Sequence, residues 1–266
     1  MKIHGFQKTT LLDYPGHIAA TVFTGGCNFR CPFCQNGSLA LEPEGQPLIP
    51  EEEVLAHLRK RQEVLEGVCI TGGEPTLESG LREFILKCRA LGYLVKLDTN
   101  GYRPEMLREF LQEGILDYVA MDIKASPANY GRAAGIPGCD MDRIRESVSL
   151  LRASGVPHEF RTTVVKGIHT AGEFEEIGKW LAGSSVYYLQ AYRDSGDILG
   201  MRRDRSGMAK DARETAEHLS ETDGSMAQPE QDTIGGIMAA FTKEEMEQMA
   251  ALAGKYIDKV MLRGVG

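Results

Sequence analysis

Two short runs decide between the folds open to this chain: Tyr93-Leu94-Val95-Lys96-Leu97-Asp98-Thr99-Asn100-Gly101 and Tyr118-Val119-Ala120-Met121-Asp122-Ile123-Lys124. Both read as strands, whose side chains alternate between two faces. In the first run Lys96, Asp98 and Asn100 share one face and Val95, Leu97 and Thr99 the other. In the second, Tyr118, Ala120, Asp122 and Lys124 oppose Val119, Met121 and Ile123. A strand between two helical layers is apolar on both faces, so these charged faces need an interior wide enough to hold polar groups and a ligand. That favours a barrel with part of its wall missing over an open doubly wound sheet. The polar residues also gather at the carboxyl ends of the strands, where such barrels build their active sites.

The rest of the chain supplies the other units. Strands are expected at 17–24, 68–71, 158–165 and 186–190, and helices at 51–65, 80–90, 104–113, 141–153 and 173–181. Most of these helices carry Pro near the start or Gly just past the end. Strands alternating with helices give parallel βα units joined by right-handed crossovers. The expectation is one α/β domain over 1–266, with 194–240 as a mobile insert rich in Arg, Asp, Ser, Gly and Met and a short helix near 214–220. A helix over 242–255 and an apolar run at 260–262, an edge strand or capping tail, close the chain.

The chain has 266 residues, 42% of them hydrophobic, enough for one large core, and a formal charge of -8. That charge argues against nucleic acid as the main partner, because phosphate binding wants a basic surface. The first thirty residues lack signal-peptide features, and no run approaches a membrane span, so a cytoplasmic location is expected.

Directly after the first of these strands comes Gly25-Gly26-Cys27-Asn28-Phe29-Arg30-Cys31-Pro32-Phe33-Cys34, a C-x3-C-x2-C cluster. A structural zinc site takes four protein ligands, whereas a four-iron cluster held by three thiolates keeps one iron open for a substrate. A zinc site completed by His17 or His57 lacks the usual paired ligand spacing. Three further motifs lie at strand ends: Thr71-Gly72-Gly73-Glu74-Pro75-Thr76, Leu97-Asp98-Thr99-Asn100-Gly101 and Met121-Asp122-Ile123-Lys124. Cys69 and Cys88 read as buried thiols, and Cys139 as an exposed loop thiol.

The cysteine spacing, with Phe33 before the last cysteine, resembles the signature of the radical S-adenosylmethionine (radical SAM) enzymes. The string Lys8-Thr9-Thr10-Leu11-Leu12-Asp13-Tyr14-Pro15-Gly16 resembles the glycyl-radical-enzyme activating branch, in particular the activating proteins of anaerobic ribonucleotide reductase, relatives of the pyruvate formate-lyase activating enzymes. The resemblance implies a six-unit partial (βα) barrel, one [4Fe-4S] cluster on Cys27, Cys31 and Cys34, and SAM bound at Gly72, Gly73, Glu74 and Pro75, with Glu74 a ligand for its amino group. It implies that Asp98 and Asp122 build a monovalent cation site beside the SAM carboxylate, that Lys124 reaches into the active site, and that Arg161 contacts SAM.

Where the pyruvate formate-lyase branch has Pro-Tyr-His, this chain reads Leu189-Gln190-Ala191-Tyr192-Arg193. Arg193 stays charged, so a fixed charge there is one substitute for the cation. No cysteine lies between Gln35 and Pro50, which sets the chain apart from activases with ferredoxin-like inserts. The chemistry implied is reductive cleavage of SAM to a 5′-deoxyadenosyl radical that takes a glycine Cα hydrogen from a partner glycyl radical enzyme, with a flavodoxin- or ferredoxin-type electron donor. A radical SAM enzyme acting on a small molecule or peptide, or a non-enzymatic zinc or iron-sulfur protein, remains the alternative.

Overall fold

Eight strands lie side by side in chain order: β1 (Gly5–Thr10), β2 (Ala19–Thr24), β3 (Gly67–Gly72), β4 (Leu94–Thr99), β5 (Tyr118–Asp122), β6 (His158–Val164), β7 (Tyr187–Ala191) and β8 (Val260–Arg263). The computed structural model describes residues 1–201 and 238–265. The expected helix near 214–220 and most of the expected insert lie outside the described residues.

Strands β2 to β8 are parallel, and β1 runs antiparallel to β2. Sequential order with parallel pairing is the signature of a singly wound wall, and β1 and β8 form its two ends. The result is an α/β partial barrel of six βα units closed by β8, so the apolar run at 260–262 is a strand. Among the described residues the α-helices are α1 (Gly37–Leu41), α2 (Glu51–Lys60), α3 (Leu81–Ala90), α4 (Pro104–Glu113), α5 (Tyr130–Ala134), α6 (Met141–Ser154), α7 (Glu173–Trp180) and α8 (Lys243–Ala253).

Local chemistry fixes several boundaries. Pro104 opens α4 and Gly114 ends it in the left-handed conformation, at φ 64°. Thr242 and Glu245 form a reciprocal capping box on α8. Helix α2 stops at Lys60, five residues short of the expected 65, as the chain enters a turn.

The alternation anticipated for β4 and β5 sorts the residues as barrel geometry requires. Val95, Leu97, Val119 and Met121 join Phe84, Leu107, Phe110 and Ile144 from the helices in one buried cluster. The opposite faces form a stack of charges. Glu159, fully buried, accepts two hydrogen bonds from Arg263 at 2.6 and 2.8 Å and one from the Tyr118 hydroxyl at 2.9 Å. In the same interior, Lys96 lies 3.3 Å from Asp98 and donates to the Asp13 carbonyl.

Candidate active site

The three cysteines occupy the loop between β2 and α1, and every side of that loop is held. Gly26 donates its N–H to the Leu39 carbonyl at 2.7 Å, and Arg30 donates its own to Ala134 at 2.8 Å. The Asn100 amide donates to Asn28 Oδ1 at 2.7 Å and lies 3.9 Å from Cys27 Sγ. Cys27, Cys31 and Cys34 line a cavity of about 260 Å³ together with Asn100, Asp122 and Lys124. His17 pairs with Glu66 and His57 packs edge-on against Phe6; neither lines this cavity.

Burial pushes the Cys27 thiol up to about 11, with a contribution from the charge on Glu74, and the Cys31 thiol up to about 12. Cys34 is raised for the same reason, burial. Without metal these thiols stay protonated; a group of iron cations supplies the positive charge that thiolates buried here require. Three thiols of one loop that line one cavity are a donor set that fits an iron-sulfur cluster.

The Gly72-Gly73-Glu74-Pro75 run couples the end of β3 to that loop. A Cβ on Gly72, which sits at φ 120°, would lie 2.3 Å from the Thr24 carbonyl oxygen, and one on Gly73 would lie 1.9 Å from that of Gly26. The N–H groups of Gly73 and Glu74 donate to those same carbonyls, at 2.9 and 2.8 Å. These glycines thus serve backbone-to-backbone contact between two loops.

Glu74 is buried, and its carboxylate accepts from the Thr76 hydroxyl at 2.6 Å, the Thr99 hydroxyl at 2.7 Å and the Asn100 N–H at 2.7 Å. Burial raises its pKa and these donors pull it back. The carboxylate is a brace joining the ends of β3 and β4.

Opposite the cysteines stands a charge network. Arg161 places Nη2 3.0 Å from Asp98 and Nε 2.5 Å from Asp122, and Lys124 Nζ lies 3.0 Å from Asp122. Burial alone would raise the Asp122 pKa, yet Arg161 and then Lys124 hold it well below the usual carboxylate range. Burial likewise disfavours charge on Lys124 and Arg161, and their surroundings, Asp122 foremost and for Arg161 also Asp98, more than reverse this. The two carboxylates are thus already bridged by a fixed cation from β6.

Arg193, read from the sequence as a substitute for a bound cation, lies elsewhere. It is exposed, donates to the Gly264 carbonyl at 3.1 Å and does not line the cavity. Strand alternation ends at Ala191, and the chain then turns away along the rim. Cys69 and Cys88 are fully buried as expected, whereas Cys139 is only partly exposed.

Sequence reasoning missed three contributors. Thr163 and Gln190 line the cavity; their inward parity with Arg161 and Tyr188 was the available signal. His169 had none: from the loop after β6, its Nε2 meets the Lys124 carbonyl at 2.7 Å while Nδ1 accepts from Val165 N–H at 3.1 Å.

Residues 21–181 match the model of the Radical SAM superfamily. A protein of Methanocaldococcus jannaschii named "putative glycyl-radical enzyme activating enzyme" is 26% identical over 99% of this chain and 96% of its own length. The GTP 3′,8-cyclase of Helicobacter pylori strain J99 is 30% identical over 64% of this chain and 51% of its own. Among solved structures, Streptococcus suis SuiB bound to S-adenosylmethionine gives a TM-score of 0.52 at 17% identity, over 74% of this chain and 45% of that one. SuiB bound to precursor peptide SuiA gives 0.53 at 16%, over 75% and 44%. The present chain spans less than half of those structures, and at such identity the likeness concerns the fold alone. No helix among the described residues is long and apolar enough to cross a membrane.

Proposed function

Because the chain belongs to the radical SAM superfamily, we propose that it is a glycyl-radical-enzyme activase, which reductively cleaves S-adenosylmethionine and abstracts a glycine Cα hydrogen from a large partner enzyme, anaerobic ribonucleotide reductase being the first candidate. Family membership implies a [4Fe-4S] cluster and SAM. The observation that carries the finer reading is the juxtaposition of three cysteines, Asn100, Asp122 and Lys124 around one cavity at the carboxyl ends of the strands. The Methanocaldococcus jannaschii relative, which matches end to end and is named as an activase, supports it.

When bound, the cluster and SAM supply the chemistry, a one-electron cleavage of the bond between sulfur and C5′. The protein binds, orients and excludes water. Cys27, Cys31 and Cys34 would hold the cluster. Lys124 and Arg161, fixed in the charged state, offer positive charge to the SAM carboxylate. The Gly72-Gly73 backbone, packed against the cysteine loop, and Glu74, whose carboxylate braces the ends of β3 and β4, would hold the SAM amino group. With Arg161 between Asp98 and Asp122, the like-charge repulsion that calls for a monovalent cation is offset from within the chain. Buried Phe29 and Phe33 keep water from the cysteines. The electron donor of this reading is a flavodoxin- or ferredoxin-type protein.

The test is anaerobic reconstitution with iron and sulfide, reduction, and chromatography for 5′-deoxyadenosine, with Cys31→Ala as control. A glycyl radical signal by electron paramagnetic resonance on a co-encoded reductase then establishes the activase. Product that forms without that signal, for any co-encoded glycyl radical enzyme, removes the activase reading and leaves an enzyme acting on a small molecule or peptide.

A further inference from the structure

The residues after β7 lie across the cysteine loop as a strap. Leu199 donates its N–H to the Cys34 carbonyl at 3.0 Å and Gly200 donates to Pro32 at 2.8 Å, while Gly37 donates to the Asp197 carbonyl at 3.0 Å. The Asp197 carboxylate accepts from the Ser38 N–H at 2.9 Å and from its hydroxyl at 2.6 Å. Gln35 completes the exchange, donating to the Arg193 carbonyl at 2.6 Å and accepting from the Ser195 hydroxyl at 3.0 Å. The fit is close: a Cβ on Gly37 or Gly200 would come within 2.8 Å of the carbonyl oxygen of Asp197 or Pro32 respectively.

We propose that Asp197 is a positioning residue for the metal cluster, clamping residues 32–38 through Ser38 so that Cys34 is held in its ligating position. The assignment rests on the cluster-binding reading above and goes beyond it, because no cysteine motif extends past Cys34. A carboxylate that accepts a hydroxyl and an amide together makes charge-assisted bonds, stronger than neutral ones. The anchor stands four residues beyond Cys34, and the bond from Leu199 falls on the carbonyl of the ligand residue itself. Outer-shell partners of this kind orient ligands, and losing one typically weakens metal binding about 10- to 100-fold. Ile198 and Leu199 are buried, so the strap also screens this side from water, one of the determinants of a cluster's reduction potential.

The full-length protein, reconstituted anaerobically, is compared with Asp197→Ala, Asp197→Asn, Ser38→Ala and the Asp197→Ala/Ser38→Ala double variant. Iron release to a chelator should accelerate roughly tenfold in Asp197→Ala, by less in Ser38→Ala, which keeps the backbone bond, and no further in the double variant than in Asp197→Ala. Asp197→Asn, which retains an acceptor oxygen, should recover part of the loss. The paramagnetic resonance line shape of the reduced cluster should change in Asp197→Ala. In metal-free protein, hydrogen exchange of peptides covering 34–40 should rise in Asp197→Ala while those of β3 stay unchanged. Wild-type release and line shape in Asp197→Ala overturn the assignment even where the cluster forms normally. A wild-type chain that takes up no cluster overturns both this assignment and the reading beneath it, and the metal-free exchange data then report on the strap alone.

Discussion

Arg161 and Asp98 meet at 3.0 Å, Nη2 to Oδ2, and the same guanidinium reaches Asp122 through Nε. One cation between two buried carboxylates makes the interior of the barrel tolerable: remove it and like charges face each other with only Lys96 and Lys124 to offset them. Arg161→Met should therefore cost about 3–5 kcal/mol of stability at neutral pH, read as a shift in urea midpoint of the metal-free protein. The sign of the pH dependence sharpens the test. The depressed Asp122 contributes stability that is complete above its unfolded value of about 3.9 and is lost only as pH falls through the folded value. Asp122 of the native protein thus adds no slope between about pH 5 and 9. In Arg161→Met the carboxylates should take up protons more readily, and lowering the pH from 7 to 5 should recover part of the loss. Arg161→Lys should rescue only partly, since a compact ammonium cannot span both partners. A neutral effect of Arg161→Met would remove the network from the account.

Gly73 makes the second prediction. A methyl group there would stand 1.9 Å from a backbone oxygen of the cysteine loop, and no flexible side chain can yield to admit it. Gly73→Ala should separate the two loops, leaving the strand core folded but iron uptake on reconstitution reduced at least about tenfold. Equal iron content in variant and wild type, with unchanged circular dichroism in both, would show that the loops do not depend on each other.

The sequence was most legible where local chemistry and periodicity agree. Helix α4 sits where Pro104 and Gly114 place it, and the charged alternation of β4 and β5 by itself points to a barrel interior. Strand β1 was missed because Gly5-Phe6-Gln7-Lys8-Thr9-Thr10 has a mostly exposed, polar pattern and earns its place only by pairing with β2. The short helices α1 and α5 are too brief for any period to register. Glu159 and Arg263 meet across 104 residues, and strap and cysteine loop meet through backbone groups that carry no side-chain signature. Whether Arg193 replaces the cation was open in the sequence, because its position was read by comparison with the Pro-Tyr-His run, and the strand that could have fixed its direction ends at Ala191.

Arg263 tests whether β8 is integral to the barrel. It holds fully buried Glu159 with two hydrogen bonds and lies over the Tyr188 ring at 3.3 Å. Arg263→Met strands a carboxylate and should cost about 3–5 kcal/mol, whereas pairing it with Glu159→Gln should return much of that, because breaking a buried pair costs more than replacing it. Urea titrations of both variants decide the matter. If the double variant is as unstable as the single one, packing of the arginine on Tyr188, rather than its charge, anchors β8.

His169 gives a prediction on pH. Burial lowers its pKa, while the bond to the Lys124 carbonyl and the charge of Glu173 push the other way, and Arg132 adds to the lowering. With the pKa depressed in the native state, the unfolded chain binds a proton that the folded one refuses. Stability from this residue is therefore present above the unfolded value of about 6.5 and is lost as pH falls below it. Down to pH 5.5 linkage limits the loss to at most about 1.4 kcal/mol. His169→Gln keeps an acceptor and a donor without titrating, so its urea midpoint should fall less than that of the wild type between pH 7.5 and 5.5. Parallel profiles would mean that His169 is protonated in the folded protein; a protonated ring still donates to the Lys124 carbonyl but cannot accept the Val165 N–H, so the backbone at the end of β6 would have to be held by other means.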